Sequence, residues 1–290
     1  MHSIADHSAS RMAVRRLAGD QAERYQREVL LPSLARLTGA SNPTLPSVLE
    51  AWESPLAVLR AFLGHYAFSR RGTVGETYAQ IAVQALQNRF PSPEAFERAL
   101  RAADPPSMWE EMLAECERRK KKPNEQLNRW MLDGLLALVH AIYREDGVGN
   151  LFHWTRDRVI QTEQVHTVFD AIVDIRGVGP KIASLLLRDL AWLYRLEERI
   201  APVDRLLLQP VDGWTRRIAD LLSEEVSSET TPDWVIAGKL SKLARRCGVS
   251  GVALNMGIQY FGSIEVRVVH HLPRAFAALV ETESRSTATG

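Results

Sequence analysis

The chain has 290 residues, with 36 Lys and Arg against 35 Asp and Glu, a net charge of +1, and 46% hydrophobic and 24% charged residues. This balance excludes a wholly disordered chain, a collagen-like repeat and a protein that seeks polyanions through bulk charge. Cys116 and Cys247 are too few for a disulfide framework or a four-cysteine zinc or iron–sulfur site, so no metal, cluster or cofactor is expected and a reducing compartment is the simplest setting.

Residues 1–12 are small and polar and read as a frayed start, without the continuous apolar segment of a signal peptide. Apolar residues then recur at helical spacing, and alternating strand-like stretches are scarce, which predicts an all-α fold. Helices are expected over 12–36, 48–67, 74–88, 93–102, 108–120, 125–145, 164–174, 181–195, 204–208, 214–225, 232–246 and 250–260. Ser92-Pro93-Glu94 has the form of a helix start, with a capping serine, a first-turn proline and an early acid. The apolar run 135–142 is broken by His140, so no membrane span is expected and the chain reads as cytoplasmic, nucleoid-associated if bacterial. Residues 281–290 have nothing to bury and read as a disordered tail; no fixed-period repeat is visible.

The segment with most chemical content is 173–187, where Arg176-Gly177-Val178-Gly179-Pro180-Lys181 joins two helical stretches. Glycines accept positive φ and let a backbone approach a ligand closely, while Val178 can pack inward and pin the turn. Pro180 suits the first turn of a helix, whose free amides can point at a phosphate oxygen without reading sequence. Ile182 stands where a dinucleotide fingerprint needs its third glycine, and no strand precedes, so that alternative fails. A plain tight turn explains the two glycines taken alone.

The fuller run Gly177-Val178-Gly179-Pro180-Lys181-Ile182-Ala183, followed by Pro202-Val203-Asp204, resembles the helix-hairpin-helix motif of the DNA glycosylase superfamily that includes endonuclease III and the 8-oxoguanine glycosylases. The resemblance implies two helical subdomains flanking a DNA-binding cleft. One is a central subdomain over 70–196 that carries the hairpin; the other is discontinuous, built from 13–69 and 197–280. Lys181 matches the nucleophilic lysine of the bifunctional members, and Asp204, 23 positions later, matches the aspartate shared across most of them. A lysine at a helix start faces the positive end of the dipole, which favours a nucleophilic amine; a carboxylate can stabilise the charge that develops on the sugar. Asp204 is also a plausible helix cap. Arg176 replaces the family's usual proline, Arg205-Leu206 replaces its usual polar pair, and the carboxy-terminal iron–sulfur loop is missing.

Between Arg176 and Arg217, eight basic residues stand against five acids, and Lys239, Lys242, Arg245 and Arg246 follow without an acid between them. Arg176, Gly177, Val178, Gly179, Lys239 and Lys242 are therefore the expected DNA contacts. The run Arg118–Lys122 reads as a solvated helix end. Trp130, Trp192, Trp214, Trp234, Tyr260 and Phe261 are available to stack on an extruded base or fill its place, although aromatics at helical spacing usually belong to the core. His65, His153, His166, His270 and His271 show no ligand spacing.

These readings converge on a monomeric glycosylase acting on double-stranded DNA with a damaged or modified base, with an associated abasic-site lyase step through a Lys181 Schiff base supported by Asp204. Two rivals stand beside it. One is a non-catalytic helix-hairpin-helix DNA-binding protein; the other is a monofunctional glycosylase in which Asp204 activates water.

Overall fold

The computed structural model describes residues 7–69 and 73–281. Among these every regular element is helical and no strand occurs. The expected tails at 1–6 and 282–290 lie outside the described residues. No helix among those described is long and apolar enough to cross a membrane. The chain divides into two compact units, Leu31–Arg199 and the pair of segments Met1–Leu30 with Ile200–Gly290. The divisions therefore fall at 30/31 and 199/200, against the expected 69/70 and 196/197.

The earlier division has a packing cause. Helix Leu31–Thr38 packs on Leu45–Ala51 and Pro55–Ala61, and the π-helical turn Phe62–Ala67 packs on Thr73–Arg89 and Pro180–Leu193. Residues 31–69 thus share a core with the rest of this unit. At its centre Trp52, fully buried, meets Phe152 edge-on at 4.6 Å, and Tyr66 meets Phe152 at 6.3 Å. The expected helix 48–67 is broken at Trp52, because Ser54 opens a new helix at Pro55 by accepting from the Ala57 amide at 3.4 Å. Ser92 does the same for Pro93–Leu100, accepting from the Ala95 amide at 3.2 Å as its sequence predicts.

Helix Leu151–Thr162 was not expected from the sequence. Asn150 caps it, accepting from Phe152 and His153 amides at 3.2 and 3.1 Å, and donates from its own amide to the Trp52 carbonyl at 2.7 Å. One fully buried side chain both starts a helix and ties it to a loop 98 positions away. The unit's longest helix, Glu125–Asp146, buries Leu132, Leu135, Leu136 and Val139 on one face and ends at Gly147 in the left-handed conformation.

In the other unit, helix His7–Arg16 replaces the frayed start expected over residues 7–12, anchored by its own fully buried Ala13 and Val14. The expected single helix 12–36 is interrupted at Gly19, whose ψ of −106° is non-helical. Helix Gly251–Tyr260 crosses this N-terminal stretch at backbone contact: a Cβ on Gly257 would lie 1.7 Å from the Leu17 carbonyl oxygen, so only glycine fits. Ile218, Ile236, Leu240, Ile258 and Phe276 complete the core. Phe276 belongs to helix Leu272–Glu281, another helix the sequence reading missed. Tyr260 and Phe261, candidates for base stacking, are core residues here, whereas Trp234 is 70% exposed.

Candidate active site

Helices His166–Val173 and Pro180–Leu193 pack against each other across the connection 174–179. The connection is held from inside. Ile175 and Val178 are buried, the Val178 amide donates to the Ile175 carbonyl at 2.8 Å, and Ile175 lies against Gly134 of helix Glu125–Asp146. Gly177 has φ +96°, and a Cβ there would come within 3.3 Å of both the Leu127 side chain and its carbonyl, so conformation and space together demand glycine. Gly179 is different: φ is −93°, and a Cβ would meet nothing within 4 Å. It is the extended residue ahead of Pro180, and its carbonyl receives the Ile182 and Ala183 amides at 2.9 and 3.2 Å. The amides of Gly179 and Lys181 have no acceptor among the described residues, which leaves two donors at the positive end of a 14-residue helix.

Arg176 points outward. It is exposed, its guanidinium lies 5.0 Å from the centroid of the half-exposed Trp130 ring, and it has no carboxylate partner among the described residues. An arginine with an indole as its only close partner keeps all its charge available to an anion.

Lys181, half-buried, donates from Nζ to the Ser69 carbonyl at 3.0 Å. Ser69 follows the turn Phe62–Ala67 and lines a largely open hollow of about 250 Å³ together with Gly64, His65, Phe68, Gly75, Glu76 and Ala79. The amine is therefore one hydrogen bond away from a residue that lines the hollow. Behind it, His65 Nδ1 shares a 2.9 Å hydrogen bond with Ser33 Oγ, and Nε2 faces Asp189 Oδ2 at 3.8 Å. Burial, with the Arg188 and Arg36 guanidinium groups, pushes the His65 imidazole down to about 4, so the ring is neutral at neutral pH. Arg188 and Asp189 are both fully buried and paired at 2.7 Å; burial raises the Asp189 carboxyl, against the pull of Arg188.

Asp204 belongs to the other unit, so neither unit by itself brings it to Lys181. It does not cap a helix. The N-cap position falls on Val203, 73% exposed, and Asp204 is the buried first residue of the short 3-10 helix Asp204–Leu208, its amide donating to the Ala201 carbonyl at 2.9 Å. Lys239 and Lys242 lie on helix Asp233–Cys247 of that same unit. Lys242 is exposed, but Lys239 is paired with Glu225, which removes it as a free cation. The Arg118 end of the basic run is likewise neutralised by Glu115 at 2.5 Å.

Sequence reading missed His65, Ser69 and Glu76. Ser69 acts through its backbone carbonyl, which no side-chain pattern reports, and His65 takes its character from neighbours at positions 33, 36, 188 and 189. No family model, no curated protein and no solved structure matches this chain.

Proposed function

We propose that the chain is a DNA glycosylase with abasic-site lyase activity, acting as a monomer on double-stranded DNA and without a metal or cluster, in a reducing cytoplasmic setting. The observation that carries the reading is the Lys181 amine in the first turn of the helix that follows a glycine turn, bonded to Ser69 beside an open hollow. The amides of Gly179 and Lys181, without an acceptor among the described residues, and Arg176, without a carboxylate partner among them, give the turn the character of a phosphate grip. Helix-hairpin-helix docking on DNA follows from that character.

In the reaction, Lys181 gives up a proton, with Asp204 as the acid-base partner, and its nitrogen forms a bond to C1′ as the base departs with the electrons of the glycosidic bond and takes a proton. Opening of the sugar ring yields a protonated Schiff base. Loss of a proton from C2′ then expels the 3′ phosphate by β-elimination, and water releases the lysine. Asp204, negative when ionised, also stabilises the positive sugar.

One observation favours a second reading. The amine donates to a backbone carbonyl, the arrangement of a lysine that holds a loop in place, and this suits a hairpin that grips DNA without cutting it. Borohydride trapping on abasic duplex DNA separates the two. Wild type is expected to cross-link and Lys181→Gln is not; undiminished trapping in that variant removes Lys181 from the chemistry, and absence of trapping in wild type removes the lyase step, with the binding module left if no modified base is released either.

A further inference from the structure

We infer that the loop 120–122 is a second phosphate-binding element, which carries a nucleic-acid backbone onward from the glycine turn along the same end of helix Glu125–Asp146. The inference rests on the DNA-binding part of the reading above and not on the chemistry of Lys181. Over positions 115–122 five basic residues stand against two acids, and the fold decides which cations stay available. Glu115 takes Arg118 at 2.5 Å and Arg119 at 3.7 Å. Lys120, Lys121 and Lys122 are exposed and have no carboxylate partner among the described residues. Glu125 is already paired with Arg129 at 2.8 Å, so in this segment Glu117 alone opposes the three lysines.

A fixed backbone presents these lysines. Helix Trp109–Arg118 ends with the Lys120 amide donating to the Glu117 carbonyl at 2.9 Å and the Lys121 amide to the Cys116 carbonyl at 2.8 Å, the paired bonds of a Schellman motif. The left-handed residue of the motif is Lys120, φ +53°, where glycine is the usual occupant because a Cβ crowds the backbone. This cation therefore stands against the local preference of the chain, as residues at functional sites do. Farther on, the Tyr78 hydroxyl donates to the Lys122 carbonyl at 2.5 Å, and the buried Asn128 side-chain amide donates to the Pro123 carbonyl at 2.8 Å. With both ends of the loop pinned, little backbone freedom is left to lose on binding.

The loop leads into the helix end that holds the glycine turn. Leu127, whose carbonyl and side chain stand 3.3 Å from a Cβ built on Gly177, follows Lys122 by five positions, a span of at most about 18 Å or about five base-pair steps of duplex. Arg176, the donor amides of Gly179 and Lys181 and three further cations thus belong to one unit and can meet successive phosphates. Segment 117–126 carries no large apolar side chain to enter a lipid layer, which favours a nucleic-acid backbone over an anionic membrane.

The test uses the full chain, an unmodified 25-mer duplex followed by fluorescence anisotropy between 50 and 200 mM salt, and vesicles of phosphatidylcholine with one-fifth phosphatidylserine. The triple variant Lys120→Gln, Lys121→Gln, Lys122→Gln is expected to reduce the slope of log K against log salt by about two or more, at about 0.9 per phosphate contact, and to weaken binding tenfold or more at 100 mM salt. Lys120→Gly is expected to raise the urea midpoint and yet weaken duplex binding twofold or more, a pair of changes that a purely structural lysine would not give. An unchanged slope in the triple variant, with Arg176→Gln still reducing it, overturns the loop assignment and leaves the DNA reading standing. A triple variant that loses vesicle binding alone, or a stabilised Lys120→Gly that binds duplex as wild type does, overturns it likewise. Wild type without salt-dependent duplex binding overturns both.

Discussion

The Lys181 amine and the Ser69 carbonyl, 112 positions apart in the chain, meet in a 3.0 Å hydrogen bond. A half-buried, charge-assisted bond of this kind contributes about 1–2 kcal/mol, and its loss leaves a carbonyl without its partner. Lys181→Met is therefore expected to lower stability by about that amount in urea unfolding, with Lys181→Arg, which still donates, recovering part of it. A loss under about 0.3 kcal/mol in the Met variant means that the bond does not hold the 69 end of the turn.

The two glycines of the connection 174–179 are expected to respond differently. Gly177→Ala forces a side chain into left-handed backbone and against Leu127, for a cost of about 2 kcal/mol or more. Gly179→Ala meets open space at negative φ and is expected to change stability by no more than about 0.5 kcal/mol. Thermal and urea melts of the two variants check this, and equal losses would mean that the turn geometry is wrong.

That contrast marks how far residue types carry. The sequence pattern located the glycine turn and the helices on either side of it, and Glu125–Asp146 and Pro93–Leu100 were legible from periodicity and a cap. The cap signature also stands at Ser54-Pro55, and reading it would have split the helix expected over 48–67. Helix Leu151–Thr162 was harder, because its polar, weakly amphipathic sequence depends on Asn150, and Asn150 depends on Trp52. The cavity was least legible. Its wall is a neutral imidazole whose state is set by Arg188, Arg36, Ser33 and Asp189, residues that meet only once the chain has folded.

DNA affinity should separate the free cation from the paired one. Arg176→Gln is expected to weaken binding to any duplex and to reduce the slope of log K against log salt by about one. Trp130→Ala weakens binding as well, because the indole holds the guanidinium outward. Lys239→Gln is expected to change affinity less than threefold, since Glu225 already balances that charge. Fluorescence-anisotropy titrations between 50 and 200 mM salt give all three values, and equal slopes for wild type and Arg176→Gln would rule out a phosphate contact at Arg176.

The His65 imidazole ties the cavity wall to pH. In the unfolded chain this ring takes a proton near 6.5, and in the fold only near 4. Between those values the unfolded state binds more protons, so stability contributed by neutral His65 is present above pH 6.5 and is lost as the pH falls toward 4. The full difference corresponds to about 3 kcal/mol, an upper figure for a ring that keeps slight contact with water. His65→Gln keeps a polar group beside Ser33 and does not titrate. Its unfolding free energy is expected to lie below wild type at pH 7, from the altered packing, and to fall less steeply between pH 6.5 and 4.5. Parallel slopes for the two proteins would place the acid sensitivity elsewhere, the half-buried His153, also pushed down by burial, being the next ring to examine.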